Sequence, residues 1–298
     1  MAPISEHLRS TSAVLEPLSI AGRSKTERSS EEKLQDTFSE VLSRVNREGY
    51  QSAIPLEPDS NLEQQVIENW ENWFDSIAPS RYSFEFRREN PSVQKGSSPE
   101  SLKHEFGQIL SDAHRQGGYA DPLTYLKTLT TDQLATIQQV QHLADPIDLE
   151  RLTEESSLNL LLPPDAQVDS NHDGLTAIGA AYSIRFPDSN TPSQVRRAWD
   201  SVTENLSESD RLTYELQMVL PVILANIHTD SEGNYVGSSH PGDADWVNPM
   251  SKMDYSYTNV ANDRLSYLEY FRNQIAPSQY DREHRFWSSF RAALAIEE

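Results

Sequence analysis

The chain has 298 residues, 36% of them hydrophobic and none of them cysteine, and its formal net charge at pH 7 is -21. Such a length allows one large domain, or one domain with a smaller module, and the lack of cysteine excludes disulfides, thiolate metal sites and cysteine nucleophiles. The acidity makes nucleic acid and anionic membranes poor partners and favours cations and basic proteins, although charge that only maintains solubility gives the same composition.

The sequence contains no segment suited to a membrane or a secretory signal. Its longest apolar run covers only residues 218–225, whereas a membrane helix needs about 18 apolar residues. The first residues lack the apolar core of a signal peptide. We therefore expect a cytoplasmic protein, and export without a cleaved signal remains open.

The first third of the chain combines a polar tail with two predicted helices. Residues 1–30 are rich in Ser, Thr, Arg and Glu, which predicts a flexible tail. Apolar residues at helical spacing predict one helix through Leu34 and Phe38 and a second through Trp70 and Ile77. The alternating aromatics of RYSFEFRREN favour a short strand or extended arm, and the linker composition of NPSVQKGSSPE places a domain boundary near residue 95.

Helix follows helix after this boundary. Start signals, breakers and periodicity place further helices from Ser98, Asp121, Thr130, near Asp148, from Thr191, from Ser207, over 258–275 and over 278–295. Pro221 should kink or end the helix that starts at Ser207. The predicted fold class is all-α: an irregular multi-helix globule with minor β content around 82–88 and 226–238. Its parts are a flexible tail (1–30), an N-terminal helical arm and linker (31–95) and a main helical domain (96–298).

The stretch DSNHDG, residues 169–174, is the most informative local motif. Asp169, Asn171 and Asp173 alternate along it, and Gly174 stands where a sharp turn with positive φ is expected. This string resembles the front half of an EF-hand calcium loop, D-x-[DN]-x-[DN]-G. The resemblance implies that calcium would be bound by these three side chains and by the main-chain carbonyl of Leu175.

The back half of the loop departs from the EF-hand family. Ala180 stands at position 12, where the family has a bidentate Glu, and Ala177 stands at position 9. Asp188 is the next acid downstream, and a helix over 177–185 would carry it away from the loop unless the chain reverses. Asp165, just upstream, is a further candidate contributor. With so few ligands, the expected dissociation constant is weak, about 10⁻⁴–10⁻³ M, which suits a structural ion better than a sensor.

A second set of polar residues lies in ANIHTDSEGNYVGSSHPGDADW. His and carboxylate side chains are the ligand types of transition-metal and zinc sites, but their spacing matches no known pattern. The same residues predict a hairpin turn equally well. The candidate ligands are His228, Asp230, Glu232, His240, Asp243 and Asp245.

Three functions remain open from the sequence. The leading one is a non-enzymatic, calcium-stabilised helical binding protein with a basic protein partner, using the tail and first two helices as a docking arm. The second is a metal-dependent hydrolase with its site in the 228–245 loop. The third is a metal-free helical interaction protein in which DSNHDG is only a turn, because Asp, Asn and Gly are ordinary turn formers. No Walker A, G-x-S-x-G, G-x-G-x-x-G or HExxH motif supports an enzyme.

Overall fold

The computed structural model describes residues 28–57, 61–82, 98–239, 243–252 and 254–297. Within these ranges the chain forms ten α-helices: α1 (Ser30–Arg44), α2 (Leu62–Arg81), α3 (Pro99–Gln116), α4 (Pro122–Leu126), α5 (Thr131–Val140), α6 (Glu154–Leu160), α7 (Ser193–Thr203), α8 (Glu208–Ala225), α9 (Tyr257–Tyr270) and α10 (Pro277–Glu297). Short 3₁₀ turns cover Pro164–Ala166 and Pro249–Ser251, and four strands form two small sheets. The predicted all-α globule with minor β content is confirmed.

Local capping explains where several predicted helices begin and end. The Ser29 side chain accepts a hydrogen bond from the main-chain N–H of Glu32, whose carboxylate accepts one from the Ser29 N–H. Thr130 and Gln133 form the same reciprocal pair at the start of α5. These bonds satisfy N–H groups that have no partner within the helix. Gly117, with φ of 75°, ends α3 in the left-handed conformation that glycine tolerates.

Several predicted helix boundaries differ from the observed ones, and the helix expected over 258–275 already ends at Tyr270. The helix expected near Asp148 begins only after Thr153, which caps it. Thr191 does not cap α7, because its hydroxyl donates to the Asp188 carboxylate over 2.6 Å. Pro221 lies inside α8 and does not end it. For Thr191, the hydrogen bonds with Asp188 outweigh the local start signal.

Both sheets are two-stranded antiparallel hairpins. β1 (Thr176–Ile178) pairs with β2 (Ala181–Ser183), and β3 (Ile227–Thr229) pairs with β4 (Tyr235–Ser238). The predicted β content at 226–238 is therefore confirmed. Of the two courses left open for residues 177–185, a helix or a chain reversal, the chain takes the reversal, at Gly179 with φ of 58°. Of the extended stretch expected at 82–88, Tyr82 caps the end of α2 and the remainder lies outside the described residues.

The buried side chains form two apolar clusters, which define two lobes. The N-terminal lobe is built on buried residues from Leu34 to Ile178, with α1 packed on α2, α2 on α3 and α3 on α5. The C-terminal lobe is built on residues from Phe186 to Leu294, with α10 packed on both α7 and α9. The boundary near residue 95 stays a prediction, since it falls outside the described residues, but side chains before and after it share the N-terminal core. Among the described helices, none is both long and apolar enough to cross a bilayer.

The predicted flexible tail lies mostly outside the described residues, which begin at Arg28. Arg28 forms an ion pair with Asp36 of α1, with 3.1 Å between Nε and Oδ2. Ser29 caps α1 and Ser30 is its first residue. The last three residues assigned to the tail therefore belong to the folded N-terminal lobe.

Candidate functional site

The DSNHDG loop leaves the base of the N-terminal lobe between Gln167 and β1. Asn159 of α6, fully buried, donates to the carbonyls of Val168 (2.8 Å) and Ala177 (2.9 Å) and accepts from the Val168 N–H (3.0 Å). One buried amide thus ties the entering chain to the departing strand. A buried amide with all these partners satisfied fixes the two ends of the loop relative to α6.

Inside the loop, the predicted calcium ligands accept hydrogen bonds from the loop's own main chain. The Asp169 carboxylate, 3% exposed, accepts from the N–H groups of Asp173 (3.2 Å) and Gly174 (2.7 Å). Asn171 accepts from the Asp173 N–H (2.8 Å), and Asp173 accepts from the Leu175 N–H (2.9 Å). These are successive Asx-type turns, which explains the alternation of the motif. Gly174 has the expected positive φ, 86°.

A buried carboxylate outside the motif completes the loop. Glu155 of α6, 5% exposed, accepts at one oxygen from the N–H and hydroxyl of Ser170 (3.0 and 3.1 Å) and from the N–H of Asn171 (3.2 Å). Its other oxygen accepts from the N–H of Ala177 over 2.8 Å. From the sequence, Glu155 resembles any acid in the first turn of a helix, so no local signal identifies it.

The β1–β2 hairpin returns the chain to the loop. Ser189 Oγ accepts from the Asp169 N–H (3.3 Å), and the Asn190 side chain donates to Asp169 (3.4 Å) and contacts His172 Nδ1 (3.0 Å). The pKa of Asp169 is raised to about 6, mainly by burial; the charges of Glu155, Asp173 and Asp188 add to the rise, and the Gly174 hydrogen bond opposes it. The reversal therefore brings Asp188 close enough to influence the loop.

The loop shows hydrogen-bonded turn geometry and no assembled metal shell. In the part of the chain that the structure describes, no three acidic or histidine side chains form a group able to hold a metal ion. Asp165 does not join the loop, since its carboxylate pairs with Arg81 and Trp73. Calcium binding by Asp169, Asn171, Asp173 and Leu175 stays a prediction. The oxygens present are of the type that calcium prefers, but they do not form its shell here.

The second candidate site is an exposed hairpin. Asp230 accepts from the N–H groups of Glu232 and Asn234, both at 2.9 Å, and so shapes the turn between β3 and β4. The predicted hairpin is observed. His240 lies outside the described residues. Asp243 lies among the described residues and has an interaction within the protein.

A serine, a histidine and a carboxylate nevertheless meet beside this hairpin. His228 Nε2 lies 2.6 Å from Ser239 Oγ and 3.6 Å from Asp245 Oδ2. The Ser239 hydroxyl, donating to Asp245, is the main reason that the pKa of Asp245 lies below its ordinary value. In a Ser-His-Asp catalytic triad, the serine bonds to Nε2 of the histidine, and the carboxylate bonds to the other ring nitrogen, Nδ1, and so orients the histidine as a base. Here both partners meet Nε2, so the cluster is a hydrogen-bonded surface group rather than a catalytic triad.

A concave site lies between the two lobes, and we call it the cleft. It has a volume of about 850 Å³ and is lined by α1, α2, α7 and α8 and by the segment 184–187. Its charged lining comprises six carboxylates and four guanidinium groups: Glu31, Glu32, Asp165, Asp200, Glu204 and Glu215, with Arg81, Arg185, Arg196 and Arg211. The sequence does not indicate this site, because its residues come from positions far apart in the chain.

Asp165 forms the floor of the cleft. Its carboxylate accepts from Trp73 Nε1 (3.0 Å) and from Arg81 (3.3 Å), and it lies 3.6 Å from an Arg185 nitrogen. Burial opposes ionisation of Asp165, but the guanidinium groups of Arg81 and Arg185 outweigh it and hold its pKa below the ordinary value. The carboxylate of Asp165 is thus fully engaged by protein groups.

Two arginines join the lobes across the cleft. Arg211 of α8 pairs with Glu31 of α1 (3.4 Å) and with Glu215 on its own helix (2.7 Å). Arg196 of α7 donates to the Gln35 side chain (3.2 Å), and its guanidinium lies 4.9 Å from the centre of the Tyr50 ring. These contacts give the cleft walls a defined relative position.

Asp200 lies one helical turn after Arg196 on α7. Among the described residues, none forms a hydrogen bond or a close ion pair with its carboxylate. Burial raises its pKa to about 6; Arg196 and Arg211 oppose this shift, and Glu31 and Glu32 add to it. A partly buried acid with a shifted pKa in a cleft marks a candidate functional site. Comparison of the chain with protein-family models, curated proteins and solved structures gives no match.

Proposed function

We propose that this protein acts by binding a partner in the cleft rather than by catalysis. The observation that supports this most directly is the cleft itself, whose volume of about 850 Å³ falls within the roughly 300–1,000 Å³ of ligand sites. Its position between two packed lobes, with ionisable groups of shifted pKa in its walls, is typical of binding sites.

A basic protein or peptide is the partner that the charges favour. Carboxylates outnumber guanidinium groups in the cleft lining, and the whole chain carries a net charge of -21. Such a field attracts cationic partners and repels phosphate backbones. Nucleic acid is therefore a poor candidate.

The rival function is a metal-dependent hydrolase at residues 228–245. Its best support is the contact between His228 and Ser239. Against it, the side chains of His228 and Asp245 are 44% and 68% exposed, so the cluster lies on an open surface. Catalytic groups gain most of their effect where water is excluded. A zinc- or manganese-dependent hydrolytic activity that is lost in His228→Ala would favour this rival over binding.

A weak structural calcium ion in the DSNHDG loop is a second candidate, compatible with either function. It is supported by an uncompensated set of carboxylates: among the described residues, no Lys, Arg or His lies within ion-pair distance of Glu155, Asp169 or Asp173. A divalent cation would relieve this repulsion. An ion at this loop would stabilise the base of the N-terminal lobe and would take no part in ligand binding.

The binding proposal is tested by selecting ligands and mapping where they bind. A display library of random peptides, with acidic, neutral and basic members equally represented, is selected against the full chain. Hydrogen–deuterium exchange then locates the enriched peptides. We expect protection in the first turn of α1 and along α7 and α8, where these elements line the cleft.

Two leucines of α8 provide a matched pair of variants. Leu216 lines the cleft and is 53% exposed, whereas Leu224 is 61% exposed and lies outside the lining. Leu216→Arg should abolish binding of the enriched peptides, and Leu224→Arg should leave it unchanged. Protection confined to other surfaces, or full binding by Leu216→Arg, would contradict the proposal.

A further inference from the structure

Building on the proposed cleft function, we propose that Asp200 is the anchor for a guanidinium or ammonium group that a peptide ligand presents to the cleft. This assigns a recognition residue and a ligand chemistry to the cleft, which does not include the DSNHDG loop. The assignment follows from which polar groups of the cleft already have partners.

Four of the six lining carboxylates are engaged by neighbouring groups through hydrogen bonds or ion pairs. Asp165 is held by Trp73, Arg81 and Arg185, as described above. Glu31 and Glu215 both pair with Arg211, and Glu32 completes the capping box of α1.

Glu204 also has an interaction within the protein. Asp200 differs from the others, because no described side chain or main-chain N–H donates to its carboxylate. Its oxygens are not among the buried unsatisfied atoms, so they face the open cleft, where a cationic ligand would supply charged donors.

An independent observation comes from Arg196, which lines the same wall. Arg196 is 6% exposed, and its two terminal nitrogens are bonded to Gln35 and to the Asp188 carbonyl. Its Nε is buried and has no hydrogen-bond partner among the described residues. Such orphan donors are rare in proteins. Protein atoms cover this nitrogen almost completely, so a peptide carbonyl next to the bound cation reaches it only if the Arg196 side chain shifts on binding.

The apolar part of the cleft suits the stem of a basic side chain. Leu212 and Leu216 of α8 are 54% and 53% exposed, and both line the cleft beside Val219. Arg and Lys side chains bury their methylene groups along such surfaces while the charged head reaches a polar partner. The combination of an apolar wall, an unpaired carboxylate and an unpaired donor fits an arginine or lysine within an extended peptide.

The test compares an arginine peptide with its uncharged isostere. A capped peptide with one central arginine, flanked by glycine and serine, is titrated into the full chain by calorimetry at pH 8, and the same peptide with citrulline serves as the neutral control. We expect the arginine peptide to bind at least about tenfold more tightly, since truncating one partner of a desolvated charge pair has effects of this size or larger.

Asp200→Asn removes the anchor, and Asp263→Asn removes the same charge from an exposed site on α9 outside the cleft. Asp200→Asn should lose the arginine preference, Asp200→Glu should keep most of it, and Asp263→Asn should match the wild type. Urea denaturation of each variant shows that it is folded. Because the neutral residue removes a buried charge, Asp200→Asn is expected to fold.

Three results would overturn the assignment: equal binding of the arginine and citrulline peptides, undiminished binding by Asp200→Asn, or no binding of the arginine peptide to the wild type. None of them decides the proposed function, which fails only if the selected peptides bind away from the cleft. Agmatine, a free guanidinium with an apolar stem, separates the two sources of this chemistry. If agmatine binds as tightly as the capped peptide, the ligand need not be a peptide, and only the role of Asp200 as the anchor is retained.

Discussion

Replacing Glu155 by glutamine should weaken the loop that joins α6 to β1 far more than a surface charge change would. The carboxylate accepts four hydrogen bonds at 2.8–3.2 Å from Ser170, Asn171 and Ala177. Glutamine keeps one acceptor oxygen and places an NH₂ group against the donors at the other. The isosteric change therefore tests the hydrogen bonding and not the packing.

The magnitude follows from which bonds survive. If the amide oxygen replaces the oxygen that serves Ser170 and Asn171, the Ala177 N–H is left buried without an acceptor, which costs about 1–3 kcal/mol. The three surviving bonds weaken because their acceptor is no longer charged, by roughly 0.5 kcal/mol each. Relief from burying a charge offsets part of this cost. We expect a net loss of about 2–3 kcal/mol in the free energy of unfolding.

Urea denaturation followed by circular dichroism measures this loss, and hydrogen exchange localises it. Exchange at the amides of Ser170, Asn171 and Ala177 should accelerate specifically. Glu150→Gln is the control, because the Glu150 side chain is 83% exposed and such sites change stability by about 0.5 kcal/mol or less. If Glu155→Gln proves as stable as this control, with slow exchange at the three amides, the anchoring role is refuted.

Three further predictions concern the loop and the cleft. Gly174→Ala should lower the free energy of unfolding by about 2–4 kcal/mol, of which about 1–2 come from the positive φ and the rest from overpacking against Asn248. Gly233→Ala is the control, because Gly233 has a similar φ but open space around it, and should lose only the part that comes from φ. Equal losses of the two variants in urea denaturation would contradict the role of the Asn248 contact. Asp200→Asn should be more stable than the wild type by about 1–2 kcal/mol at pH 8 and equal to it near pH 4; a constant difference across urea titrations would count against it. If calcium binds, it should raise the melting temperature more than magnesium does, and Asp173→Ala should abolish the difference; equal responses would remove the calcium hypothesis.

The sign of the pH effect follows from the groups around Asp200. Its pKa is about 6 in the folded protein and 3.8 in its ordinary state, so the folded protein binds this proton more tightly than the unfolded chain. Its contribution to stability therefore falls as pH rises from about 4 to about 6 and stays low above that range. Glu31 and Glu32 of α1 favour protonation, while Arg196 of α7 and Arg211 of α8 oppose it. Asparagine removes this titration and hence the part of the pH dependence that comes from Asp200.

Elements whose signals are local could be read from the sequence. Helix α1 follows from apolar spacing, although its Ser29 cap falls in the predicted tail, and α3 follows from the cap at Ser98 and the glycine at its end. The turn of DSNHDG, with positive φ at Gly174, also follows locally, because alternating Asp and Asn side chains bond to N–H groups only two to five residues ahead. Such contacts need no information from distant residues.

Tertiary structure decided the features on which function depends. The β1–β2 reversal was not evident from TAIGAAYS, and it alone returns Asp188 to Asn190 to the loop. From the sequence, Glu155 is indistinguishable from a surface acid, and only the tertiary structure shows that the loop buries it. The cleft joins Glu31 to Arg211 across 180 positions of the chain. Periodicity and capping describe one element at a time, whereas burial of a charge and the partner it finds depend on how separate elements pack.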